Sequence, residues 1–289
     1  MVLETLVSTA VAKREGWKIF LLGCLYATVG LFLAYWVFRP QSSMVMVFFT
    51  VLAAAHIMHA LIETEEDVDE KEDTRTIFIE HSRTLSAFLY LFLGFTVAFT
   101  FWNIALDSAP LNALMGSGAS HTLFAVQNDT VAQITGGAIH AAAVDTMARF
   151  NVIFMNNLIV LAFALLFSFV YGYGAIFILV WNASVIAAAA GASYRVAVAG
   201  VDGFANMVLA FINSLAQYAL HGIPEILAYF VAALAAGVLG VAIARKRWRE
   251  PEKFRKVLFD FVELTLISVI LLFVAAILEV WVTPLIISL

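Results

Sequence analysis

Residues 221–247 read HGIPEILAYFVAALAAGVLGVAIARKR. From Ile226 to Ala244 no side chain is charged, and Tyr229 is the one that carries a polar group. A helix needs about 20 such residues to cross the ~30 Å hydrocarbon layer of a bilayer. Three consecutive basic residues, Arg245, Lys246 and Arg247, close the run, and an imidazole and a carboxylate, His221 and Glu225, stand at its head. Ionisable groups at the mouth of a membrane helix are costly unless paired, solvated or used.

The rest of the chain repeats the pattern. Of 289 residues, 63% are hydrophobic and 13% charged, where soluble domains carry about 25% charge. Mean hydropathy is +0.95. The fold class is therefore all-α, a polytopic transmembrane helical bundle. Clear spans are residues 17–38, 44–62, 85–106, 152–180, 225–244 and 257–282. Trp17, Trp36, Trp102, Trp181, Trp248 and Trp281 fall near their ends, as in an aromatic belt. The N-terminus lacks a basic signal region, so the first apolar stretch is read as a span. Cys24 is the single cysteine, which rules out an intrachain disulfide.

Positive charge sets the expected orientation. Lys13, Arg14 and Lys18 precede the first span, and seven of the 16 Lys and Arg residues lie in 245–256. Both segments face the cytoplasm in this reading. That puts the acidic loop 63–83 in the cytoplasm, 107–150 outside as one or two amphipathic helices, and the N-terminus inside. Parity then demands one more crossing between Trp181 and His221. The segment is read as a short, small-residue crossing followed by an interfacial or re-entrant helix, 204–220, so the bundle has six clear spans plus one. The chain forms a single membrane domain, 1–289, in three parts: a three-span unit, 1–106; the external segment, 107–150; and a core with the last span, 151–289.

Two polar constellations stand out. In the first, Pro224 suits the first position of a helix, Glu225 suits its first turn, and Gly222 suits a sharp entry. The alternatives are a capped helix end or a His/Glu pair that handles a proton or cation. In the second, His56, His59 and Glu63 share one helix face, with His81 at the same level. These four are candidates for a divalent metal or a proton relay, or form a polar helix end facing water. No other cofactor is predicted. Arg195 is an isolated intramembrane cation, with Asp202 or Glu225 as its expected partner.

Asn156-Asn157, then Trp181-Asn182-Ala183, then His221-Gly222-Ile223-Pro224-Glu225 occur in that order within residues 149–244. This ordered set resembles the stage II sporulation protein M family of integral membrane proteins, in its archaeal form. The family commonly has a glycine after the second-element asparagine, where Ala183 stands here. The resemblance marks His221, Gly222, Glu225, Asn156, Asn157 and Asn182 as the family's polar core. It implies a structural or scaffolding component of the cell envelope, with envelope proteins as partners.

The chain has no nucleophile elbow, phosphate-binding loop, zinc-protease motif or dinucleotide fingerprint. Three function classes stay open: an envelope scaffold, an ion or small-solute transporter or channel, and an intramembrane enzyme. The basic loop is a positive-inside anchor touching lipid and not a nucleic-acid patch. The bilayer is one partner, and small residues such as Gly237 and Gly240 serve helix packing within a monomer or a homodimer. Seven crossings place the C-terminus outside. A reporter fused after Leu289 is expected to be active only outside the cell, and a cytoplasmic signal overturns this topology.

Overall fold

In this computed structural model, residues 15–69, 82–171, 175–200, 203–283 and 285 are described. Ten α-helices follow one another among them. They are α1 (Gly16–Val37), α2 (Ser42–Asp69), α3 (Ser82–Ala105), α4 (Ala109–Met115), α5 (Ala119–Leu123), α6 (Ala125–Val144), α7 (Thr146–Tyr171), α8 (Ala175–Ala197), α9 (Phe204–Ala244) and α10 (Pro251–Ile277). A π-helical turn, Leu278–Val282, prolongs α10. Seven helices, α1, α2, α3, α7, α8, α9 and α10, are long and apolar enough to cross a membrane. The described residues hold no strand.

The run that opened the sequence analysis is the centre of the bundle. From Ala228 to Leu239 every residue of α9 is buried. A helix apolar on all sides must be surrounded on all sides, and α9 packs against α2, α3, α7, α8 and α10. Phe230 meets Phe88 and Phe92 of α3, with ring centroids 5.6 and 6.1 Å apart. Helices α7 and α10 lie outside α9 and turn apolar stripes outward, Met155, Ile159 and Phe163 on one, Phe259, Leu266 and Ile270 on the other. Those stripes suit contact with lipid chains.

Helices α1, α2 and α3 form a second group, joined to α9 mainly through α8. In lipid, helices gain no hydrophobic drive toward one another, so close van der Waals fit has to hold them. Gly23 of α1 and Gly94 of α3 supply it. A Cβ on Gly23 would come within 2.6 Å of the Leu91 carbonyl oxygen and 3.2 Å of the Gly94 Cα. The Cys24 thiol donates to the Gly94 carbonyl across the same contact, at 3.4 Å. Gly240 plays the same part between α9 and α7, facing the Phe169 carbonyl.

One end of the bundle carries a polar cap built from α4–α6. Arg195, at the end of α8, donates through Nε and Nη2 to the Asp107 carboxylate, at 2.9 and 2.6 Å. Its Nη2 also reaches the Asn103 Oδ1 at 2.9 Å, and Ser120 of α5 donates to the Asn103 carbonyl at 2.8 Å. The Ser43 hydroxyl of α2 donates to the Gln127 Oε1 of α6 at 2.6 Å. Tyr35 and Arg39 donate to the Met115 carbonyl at 2.9 and 3.2 Å. The ends of α1, α3 and α8 and the start of α2 therefore lie together, as alternating crossings require.

Several expectations change. The extra crossing is not short: α8 runs the full Ala175–Ala197, because the presumed span 152–180 takes in parts of two helices, α7 ending at Tyr171 and α8 starting at Ala175. Two of its polar side chains are satisfied within the helix, Asn182 donating to the Ile178 carbonyl and Ser184 to the Trp181 carbonyl. Residues 204–220 do not form a separate re-entrant piece. They are the first half of α9, and Pro224 lies inside the helix. Proline removes one N–H there, but its fixed φ is helical, and membrane helices absorb such a loss when neighbours support them. Glu225 is thus not in a first helical turn, and Gly222 makes no turn. The turn into α9 is made instead at Gly200 and Gly203, with φ of 82° and 101°. Arg195 pairs with Asp107, and Glu225 lines a cavity elsewhere, while Asp202 lies outside the described residues. Residues 107–145 hold three helices, α4, α5 and α6, where one or two were expected.

These positions give opposite mutational signs. Gly23→Leu is expected to destabilise the protein by about 1–3 kcal/mol through overpacking. Gly222→Ala meets nothing within 4 Å and is expected to be neutral or to gain up to about 1 kcal/mol in helix propensity. Thermal unfolding in detergent checks both, and a large loss at Gly222→Ala would contradict the continuous helix.

Candidate functional site

Three helices each turn one face to a common cavity. On α7 the residues are Arg149, Val152, Ile153, Asn156, Asn157 and Val160; on α8, Asn182, Val185, Ile186 and Ala189; on α9, Tyr218, His221, Gly222, Glu225 and Ile226. The spacings of three and four are those of one helix face. Val131, Gln133 and Ile134 of α6 and Glu279 of the π-helical turn complete the wall. The cavity holds about 600 Å³, the size of many small-molecule sites.

All six residues of the sequence-derived polar core line this one space. Asn157 is buried and Asn156 exposed, and Asn156 donates to the Asn157 Oδ1 at 3.3 Å. Glu225 is partly buried. Its Oε1 accepts from the Tyr229 hydroxyl, one turn on, at 2.9 Å, and the Asn157 side chain is a second hydrogen-bond partner. The His221 Nδ1 lies 3.4 Å from the Thr283 hydroxyl beyond the π-helical turn. Tyr218 meets the His221 ring edge-on, with centroids 6.4 Å apart, and its hydroxyl lies 3.3 Å from Ser193. The π-helical turn is what brings Glu279 round to this wall, a common use of π-bulges.

Four contributors escaped the sequence reading or were given other roles there. Arg149, Tyr218 and Glu279 carried no role in the sequence pattern, and Tyr229 stood only as the one polar group of its apolar run. Their signals are faint but present. Arg149 is seven and eight residues before Asn156 and Asn157, so all three share a face. Tyr229 is one turn after Glu225, where a donor can reach the carboxylate.

The second constellation is not assembled by what is described. His56 is exposed on α2, while the side chains of His59 and Glu63 and the whole of His81 lie outside the described residues. Among the described residues no three His, Cys, Asp or Glu side chains are grouped to hold a metal ion.

A bundle of membrane-spanning helices around one buried helix, with a polar cavity between α7, α8 and α9, defines a multi-pass integral membrane protein. Residues 20–284 match the family model described as Stage II sporulation protein M, and the chain belongs to that family. The match extends the likeness from residues 149–244 to nearly the whole chain. No curated protein and no solved structure matches it.

The Tyr229–Glu225 bond gives a direct check on this geometry. Tyr229→Phe leaves a carboxylate short of one donor and is expected to lower stability by about 1–3 kcal/mol. The loss should shrink when Glu225→Gln is added, and a double-mutant cycle in thermal unfolding reads the coupling. Strict additivity would mean that the two side chains do not interact.

Proposed function

We propose that the protein binds a small polar solute in this cavity and moves or senses it at the membrane. One observation carries the reading. Side chains from α6, α7, α8, α9 and the π-helical turn converge on about 600 Å³ of space, and they include two carboxyl groups, a guanidinium, an imidazole and four amides. Polar groups among membrane helices are expensive, and those facing a cavity commonly mark a substrate path. An envelope scaffold needs surfaces for partners but has no use for such a cavity. Metal chemistry lacks a ligand cluster among the described residues.

Solute access suits the end of the bundle that carries α4–α6. Helix α6 borders the cavity there, and the positive-inside reading puts that end outside the cell. Proteoliposomes carrying the purified chain are expected to show saturable binding or uptake of at least one member of a panel of labelled amino acids, amines and organic phosphates. Glu225→Gln should weaken it about tenfold or more, since it removes the charge of a buried, hydrogen-bonded carboxylate. No saturable binding across the panel, or binding indifferent to Glu225→Gln, would defeat the proposal.

A further inference from the structure

We infer that the cavity selects a zwitterion, a molecule with an ammonium at one end and a carboxylate or phosphate at the other. The inference rests on the solute-binding reading and names its ligand class. Arg149 lines the cavity, and its Nε is buried with no hydrogen-bond partner among the described residues. A buried donor without an acceptor costs free energy until one arrives, and a guanidinium is best answered by a bidentate anion. Glu225, in the same cavity, is a carboxylate held by two hydrogen-bond donors, Tyr229 and Asn157, and by no cation that lines the wall beside it.

The two ends of the cavity exclude the simpler ligands. A plain anion would answer Arg149 and leave Glu225 unmatched. A plain cation would meet Glu225 and leave the Arg149 donor unanswered. A zwitterion serves both.

The order along the helices sets the ligand's direction and length. The Arg149 guanidinium is within electrostatic reach of His221 and Glu279. Further along both helices, Asn157 of α7 meets Glu225 of α9. His221 and Glu225 are one turn apart, a rise of about 6 Å. The anionic group therefore sits at the Arg149 and His221 level, and the ammonium lies roughly 6 Å deeper at Glu225. A γ-amino acid or a phosphoethanolamine group spans that interval. The latter occurs both as a free solute and as a lipid headgroup. On the α7 wall Val152 is 49% exposed and Asn156 is exposed too, which leaves a lateral way in for a headgroup.

The test uses the full chain in nanodiscs and titration calorimetry with γ-aminobutyrate, phosphoethanolamine, butylamine, ethanolamine, butyrate and inorganic phosphate. The zwitterions are expected to bind about tenfold or more tighter than the matched single ions, by the worth of one buried charged contact. Arg149→Gln should erase the zwitterion's advantage over its amine while amine binding persists. Discs of phosphatidylethanolamine should weaken phosphoethanolamine binding relative to discs of phosphatidylglycerol if the headgroup is the natural occupant, and leave it unchanged if a free solute is. An amine or phosphate alone binding as tightly as the zwitterions overturns the inference and leaves the solute-binding reading intact. Binding of none of these probes, while another solute of the wider panel binds, does the same. The wild-type comparison stands even where Arg149→Gln fails to fold.

Discussion

The complete burial of α9 is the constraint on which the rest of the structure depends. Lipid could also cover a helix with no polar face in its inner half, but here five helices pack against it. Enclosure also explains the small residues. Long side chains on every face would hold neighbours far from the axis, whereas alanines and Gly240 let α7, α8 and α10 approach. The same enclosure determines where polarity is allowed. It begins at Glu225, where the buried stretch ends, and the cavity opens there because the neighbours no longer close around α9.

The two helical groups meet through α8. Its inner half packs toward α9, and its far end is fastened by Arg195 to α3 and α5. The Arg195–Asp107 pair is more than two-fifths exposed on both sides, so as an isolated ion pair it contributes little. Its structural effect lies in the network, where one guanidinium gathers a carboxylate, an amide and a hydroxyl from separate elements. Such a node fixes α8 against α3 and holds the cap of short helices in place. The cavity wall on α8 thereby has a firm backing, while the wall on α7 faces outward.

The helical class, six of the spans and the need for a seventh were legible in the sequence because hydrophobic length and charge parity are local properties. The polar core was legible because its asparagines, His221 and Glu225 form an ordered family pattern. What failed was punctuation. Pro224 after Gly222 reads as a helix start by local rules, yet helical support from the surrounding elements carries α9 through it. Residues 152–180 read as one span because apolar character does not mark where α7 gives way to α8. Arg149 was hidden for another reason: its partners are distant in sequence, and only the packing of α7 on α9 reveals them.

Pro224 also marks a level on α9. Lacking an N–H, it cannot bond to the carbonyl of Leu220, four residues back. That carbonyl needs a neighbouring donor, water or a hydroxyl, and the groove beside Leu220 and Pro224 also contains Thr283. From Ile226 to Ala244 the helix rises about 28 Å, close to one hydrocarbon thickness, before the basic residues begin. The chain thus carries two marks about one hydrocarbon thickness apart, a missing hydrogen bond at one end of the run and a row of cations at the other. Glu225 stands beside the first mark, where the apolar run begins.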